Sequence, residues 1–84
     1  MIVYGHKVCE DVIKTAFIDC TSDTNFTTRE LEIRLFTLGV HMNACYRAAD
    51  RLTQRWRKDG KIFYDKGNQC WRDIKHYDLI YGDK

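Results

Sequence analysis

Residues 26–74 read FTTRELEIRLFTLGVHMNACYRAADRLTQRWRKDGKIFYDKGNQCWRDI, and this stretch decides the fold. It opens with a capping Thr before an apolar helical repeat and then turns at a Gly. A basic helical repeat follows, and two aromatic-rich runs separated by a Gly-containing turn end the stretch. This succession predicts two helices and a two-stranded β-hairpin. With an amphipathic helix before it, the chain of 84 residues is expected to form one α+β domain.

The helix expected at residues 28–38 carries strong start signals. With Thr27 as N-cap, its hydroxyl can accept from the Glu30 amide while the Glu30 carboxylate accepts from the Thr27 amide, which is a capping box. Phe26 is placed to pack on Leu31 as a hydrophobic staple. The predicted buried row of this helix is Leu31, Leu35 and Leu38.

Two further features of this helix lie outside the buried row. Ile33 points to the opposite side, where we expect the first helix or the C-terminal tail to cover it; a contact between two copies is the alternative. Glu30 and Arg34 have the spacing of an i, i+4 ion pair.

The helix expected at residues 42–59 separates an apolar row from a cationic one by about half a turn. Residues 47–75 hold nine basic and four acidic side chains, a net charge of +5, although the whole chain carries only +2. The positive field therefore belongs to the second half of the chain. The inner row is Cys45, Ala49, Leu52 and Trp56, and the outer row is Arg47, Arg51, Gln54 and Lys58.

The remaining segments complete the predicted domain. Apolar residues repeat with helical spacing at 6–20, and a hairpin is expected at 61–74 with Gly67 at a positive φ. A short N-terminal or Phe26-centred strand is a possible addition. Three alternatives stay open for the tail at 75–84, namely a short strand, a docking segment or a partly disordered segment. The side chains expected to pack the hairpin onto the helices are Ile62, Cys70 and one or both of Phe63 and Trp71.

Composition excludes several function classes. No apolar run is long enough for a membrane span and no signal peptide pattern opens the chain, so we expect a cytoplasmic protein with no membrane partner. No nucleophile lies at a recognisable spacing from a His and no phosphate-binding loop occurs, so we expect neither an enzyme nor a cofactor or small-molecule substrate.

The four cysteines have no closely spaced Cys pair. We interpret Cys9, Cys20, Cys45 and Cys70 as mainly buried reduced thiols and expect no metal. Disulfides remain an alternative, as does a zinc site using His6 with Cys9 or Cys70 with His76.

The stretch from Leu38-Gly39-Val40 through Tyr46-Arg47-Ala48 to Leu52 resembles the turn and recognition helix of bacterial helix-turn-helix regulators. With Gly60, Lys61 and Ile62 following, residues 26–74 are similar to winged helix-turn-helix transcription factors. The resemblance implies a three-helix bundle followed by a hairpin wing. It also implies a small bacterial or phage regulator that binds double-stranded DNA in a sequence-specific manner. One departure is His41, which stands where the family often has a capping Ser or Thr.

A helix that enters the major groove needs small or polar residues near its start and long cations behind them. Asn43 is suited to adenine, Ala44 to a thymine methyl group and Arg47 to guanine. The predicted backbone contacts are Arg51, Arg55 and Lys58, Lys66 at the wing tip, and Thr28 with the amides that open its helix. His41 either contacts a phosphate or yields the cap position to Asn43, which would shift the contacts by a residue or two.

The alternative function is a winged helix that binds another protein and not DNA. Modest net charge, Asp50 among the cations and the aromatic tail favour it. For DNA binding, one small domain offers little contact area, so a homodimer or cooperative binding is expected.

Overall fold

The computed structural model describes residues 1–22 and 25–77. Its fold is α+β, as predicted, with three helices and two small antiparallel hairpins, and this layout is compatible with a winged helix. In chain order the elements are β1 (Ile2–Val3), β2 (His6–Lys7), α1 (Glu10–Thr21), α2 (Thr28–Thr37), α3 (Met42–Lys58), β3 (Ile62–Asp65), β4 (Cys70–Asp73) and a 3₁₀ turn (Ile74–His76).

The first helix begins at Glu10 and not at residue 6, because the chain before it forms a hairpin. Tyr4 and Gly5, the two turn residues between β1 and β2, have φ of 51° and 81°. Positive φ at both positions gives the turn a twist that matches that of the two strands. The predicted helical repeat at 6–20 is therefore correct only from its second turn onward.

Helix α2 begins as the capping box predicts. The Thr27 amide donates to Glu30 Oε1 at 2.9 Å, and the Glu30 amide donates to Thr27 Oγ1 at 3.1 Å. Since Glu30 is used in this way, the expected pair with Arg34 is replaced by a contact of 3.7 Å between Arg34 Nε and Asp19 Oδ2. Ile33 is 56% exposed, so the expectation that α1 covers it is wrong.

The core lies between the helices and is closed by the second hairpin. Helix α3 contacts α2, β1 and β3, while α1 packs on α2. Trp56 meets the Phe17 ring edge-on at 4.9 Å between centroids. Leu31, Leu35 and Leu52 are fully buried, as are Ala48 and Ala49.

The β3–β4 hairpin packs on the helices as expected, with Ile62, Phe63, Cys70 and Trp71 all buried. A Phe26-centred strand segment is present as a β-bridge, in which the amides of Phe26 and Trp71 donate to each other's carbonyl at 2.9 and 2.7 Å. The Trp71 indole N–H also donates to Thr28 Oγ1 at 3.1 Å. These contacts join the hairpin to the start of α2.

The loop of this hairpin is organised by a carboxylate and not by Gly67. Gly67 lacks the predicted positive φ, which falls instead on Gln69 at 53°. Asp65 accepts from the Gly67 amide at 3.1 Å, from Asn68 Nδ2 at 2.8 Å and from Arg72 Nε at 2.8 Å. The bonds from Asn68 and Arg72 lower the pKa of Asp65 to about 2.

Two other expectations concern the cysteines and the ends of the chain. Cys20, Cys45 and Cys70 are buried, whereas Cys9 is exposed at the start of α1. Of the predicted tail at 75–84, the 3₁₀ turn and Tyr77 are described and residues 78–84 lie outside the described part. None of the helices in the described ranges has the length and apolar character needed to cross a membrane.

Candidate nucleic-acid interface

Helix α3 has one face in the core and the opposite face in solvent. The inner row predicted from the sequence is buried, and the outer row of Arg47, Arg51, Gln54 and Lys58 is exposed. Because α3 packs on α2, β1 and β3, the buried arc is wider than one stripe. The full buried set is Ala44, Cys45, Ala48, Ala49, Leu52, Thr53 and Trp56.

His41 is the N-cap of α3, which fixes the position of the helix start. Its Nδ1 accepts from the Asn43 amide at 3.1 Å, in the role that a Ser or Thr hydroxyl often fills. The Cys45 thiol donates to the carbonyls of Val40 and His41 at 3.5 and 3.4 Å, and burial raises the pKa of this thiol. The alternative in which Asn43 caps a later helix is therefore wrong, and Asn43 is an exposed residue of the first turn.

The N-terminal hairpin holds this end of α3 from the side. The His6 and His41 rings stack at 4.1 Å between centroids with an interplanar angle of 9°. Nearly three turns further along α3, Arg51 Nη1 donates to the Ile2 carbonyl at 3.1 Å. Sequence reasoning missed both contacts; the only local signal was Gly5, which allows a tight turn.

Four of the predicted cationic contacts come together on the exposed side of α3. Arg47, Arg51, Arg55 and Lys58 line one shallow surface depression with Asp50, Gln54 and Asp59. Arg47 Nη1 lies 3.8 Å from Asp50 Oδ2, and Arg55 Nη2 lies 3.5 Å from Glu10 Oε1. All four of these charged side chains are about half exposed, so each pair contributes little to stability and can exchange for an external anion.

The other residues predicted to contact DNA lie away from the α3 cations or are buried. Ala44 is fully buried, so its methyl group is not available to a thymine, and its assignment as a contact is corrected. Thr28 is half-buried, and its hydroxyl accepts from Trp71. Lys66 is exposed in the β3–β4 loop, where it lines a separate depression with Phe63, Tyr64 and Tyr77. The structure therefore groups the α3 cations but not Thr28 or Lys66 with them.

Metal-binding side chains and similarity to known proteins are two further sources of evidence for function. Among residues 1–22 and 25–77, no group of three or more His, Cys, Asp or Glu side chains is arranged to hold a metal ion. No family model, curated protein or solved structure matches the chain. The exposed face of α3 is therefore the feature of the described residues that points to a function.

Proposed function

We propose that this chain is a winged helix-turn-helix protein that binds double-stranded DNA through the exposed face of α3, as a small regulator of transcription. One observation carries the proposal. Arg47, Arg51, Arg55 and Lys58 share one solvent-exposed surface of a helix whose opposite face is anchored in the core. A rigid helix with clustered cations is the arrangement that reads the major groove in proteins of this class.

Within this proposal the residues of α3 divide by position. Asn43 is exposed in the first turn, and Arg47 follows one turn later, so these two are placed to reach base edges. Arg51, Arg55 and Lys58 then contact phosphates further along the groove. Lys66 supplies a flanking backbone contact from the wing, and His41 lies beside the entry point as the helix cap.

Two exposed ion pairs of α3 must break when the helix binds DNA. Arg47 exchanges Asp50 for DNA, and Arg55 exchanges Glu10 for a phosphate. A phosphate contact releases condensed counterions, whereas a surface pair gives about 0–1 kcal/mol, so the exchange favours the complex at low salt. Asp50 remains as a negative charge within the contact surface and opposes binding.

A protein-binding module is the second candidate, and two observations favour it. Asp50 and Glu10 partly neutralise the α3 cations. Beside them, Ile33, Phe36 and Met42 line an apolar groove. Under this alternative the chain has no measurable affinity for duplex DNA.

Titration of the protein with a mixed-sequence duplex of about 25 base pairs at several salt concentrations separates the two candidates. Four phosphate contacts, from Arg51, Arg55, Lys58 and Lys66, predict a slope of about −3.6 for log K against log salt. The double variant Arg47→Ala with Arg51→Ala should reduce the slope to about −2.7 and weaken binding.

The control is Lys14→Ala with Arg34→Ala, which removes the same charge from α1 and α2 and should leave both values nearly unchanged. No binding at about 50 mM salt would overturn the proposal. Selection of bound genomic fragments would then give the target sequence.

A further inference from the structure

An apolar surface crosses from α2 to α3 on the side of α3 next to its cations. Ile33 and Phe36 lie one turn apart on α2, and Met42 and Tyr46 lie one turn apart on α3. Ile33, Phe36 and Met42 line the same groove. We call these four residues the α2–α3 patch. They are 56%, 57%, 66% and 69% exposed, respectively.

The size of this patch distinguishes it from scattered surface apolar residues. An aromatic side chain can bury about 150–250 Å², so four large side chains at these exposures offer on the order of 500 Å². Patches of about 300–600 Å² are the largest on a typical monomer and are often functional. The exposed area is therefore sufficient for a specific contact.

We infer that the α2–α3 patch is the contact surface between two copies of this chain, related by a two-fold axis. A two-fold interface uses the same surface on both copies, so the surface must complement itself. The α2–α3 patch is apolar at its centre, and both signs of charge lie at its edge, where Arg29 Nη1 is 3.6 Å from Glu32 Oε1. The Arg29 side chain is 78% exposed and can reach across a two-fold axis to the 17% of the Glu32 side chain that is exposed on the second copy.

The area agrees with a weak dimer. Two α2–α3 patches in contact remove about 1,000 Å² from solvent, which is the lower end of specific interfaces. Contacts of this size are typical of weak, transient association, so we expect a dissociation constant in the micromolar range. The chain is then a monomer when dilute and a dimer when concentrated.

This interface leaves the α3 cations accessible. Successive residues of an α-helix are about 100° apart, so Met42 and Tyr46 are displaced by that angle from Asn43 and Arg47. Each copy that makes contact through the α2–α3 patch therefore keeps its cationic surface open to solvent. The inference goes beyond DNA binding, because the dimer is expected without DNA.

Sedimentation-velocity measurements on the whole chain without DNA, from about 1 to about 500 µM, test this inference. The mass should rise from 10.0 kDa towards twice that value. Phe36→Asp should raise the dissociation constant at least about tenfold because it places a charge in the interface. Ile18→Asp is the matched control, since Ile18 is a 64% exposed apolar residue on α1, outside the α2–α3 patch.

Met42→Glu repeats the test from α3 and should have the same effect as Phe36→Asp. Circular dichroism establishes that each variant is folded. A single 10.0 kDa species at every concentration would overturn the inference. So would a dimer that Ile18→Asp weakens as much as Phe36→Asp does. The measurement contains no DNA. A result that overturns the dimer would therefore leave the proposed DNA binding untouched.

Discussion

Replacing Asp50 by Asn should strengthen DNA binding, because Asp50 is an acidic group within the cationic surface of α3. Its carboxylate lies 3.8 Å from Arg47 Nη1 and lines the depression formed by the α3 cations. The substitution keeps the shape of the side chain and removes its charge. Any gain in affinity therefore reports the charge at this position.

The magnitude follows from the exposure of the site. Two unit charges 4 Å apart in water interact by about 1 kcal/mol, and a phosphate at about 6–8 Å would repel Asp50 by about half that value. Salt at about 0.1 M screens charges beyond about 10 Å, so only the nearest one or two phosphates matter. The expected gain is about 0.5–1.4 kcal/mol, or about 2–10-fold in affinity.

Fluorescence anisotropy with a labelled duplex measures this gain, and Asp19→Asn is its control. Asp19 makes a similar half-exposed pair, 3.7 Å from Arg34, and the substitution changes the net charge by the same amount. Only Asp50→Asn should tighten binding by the stated factor, and the gain should shrink as salt is raised. Equal effects of the two substitutions, or no effect of Asp50→Asn, would refute the assignment of the α3 surface.

Three predictions concern stability. Thr27→Ala removes the capping hydroxyl of α2 and should cost about 1 kcal/mol in urea unfolding, whereas Thr37→Ala at the other end of the helix should cost less; equal losses would contradict the role of the cap. Leu35→Ala should cost about 2.7–5 kcal/mol because Leu35 is fully buried, and a loss below 1 kcal/mol would contradict that packing. Asp65 has a folded pKa of about 2 against an ordinary 3.8, so its ionised form stabilises the fold above pH 3.8 and this contribution is lost as the pH falls towards 2. Asp65→Asn should therefore lower the melting temperature at pH 5 by more than at pH 2, and an equal loss at both values would exclude the linkage.

The sequence predicted the elements that depend on residues close to one another in the chain. The capping box depends on residues three positions apart, and the buried row of α3 depends on helical periodicity. Gly39 ends α2 at a φ of 101°, which few other residues adopt at low cost. These features are encoded within one or two turns of chain, so their position could be read from the residues.

A short N-terminal strand is present as β1, as the sequence allows, but the hairpin that it forms with β2 could not be predicted in the same way. Its strands have two residues each, and the apolar residues that follow continue a helical repeat, so periodicity extended the first helix too far. The turn also places a Tyr at positive φ, a conformation that the residue type does not favour. Contacts with the rest of the chain stabilise this hairpin, since Val3 and Val8 are buried in the common core.

Long-range contacts also explain where the site prediction needed correction. Ala44 has the small side chain that a groove-facing position requires, yet the packing of α3 on three other elements widens its buried arc to include it. The predicted phosphate contact of Arg51 rests on its helical position alone. Its bond to the Ile2 carbonyl spans 49 residues, so no local pattern could reveal it.

The contact between Arg51 and Ile2 holds one cation of α3 in place. A carbonyl acceptor holds the Arg51 guanidinium beside α3 without neutralising its charge, unlike the carboxylates that face Arg47 and Arg55. Holding the side chain in advance reduces the conformational entropy lost on binding. Since the Ile2 carbonyl belongs to the backbone of β1, the N-terminal hairpin acts as a positioning element for one cation and, through His6, for the cap of the same helix. If α3 binds DNA, the hairpin contributes to affinity through these two contacts without touching the duplex.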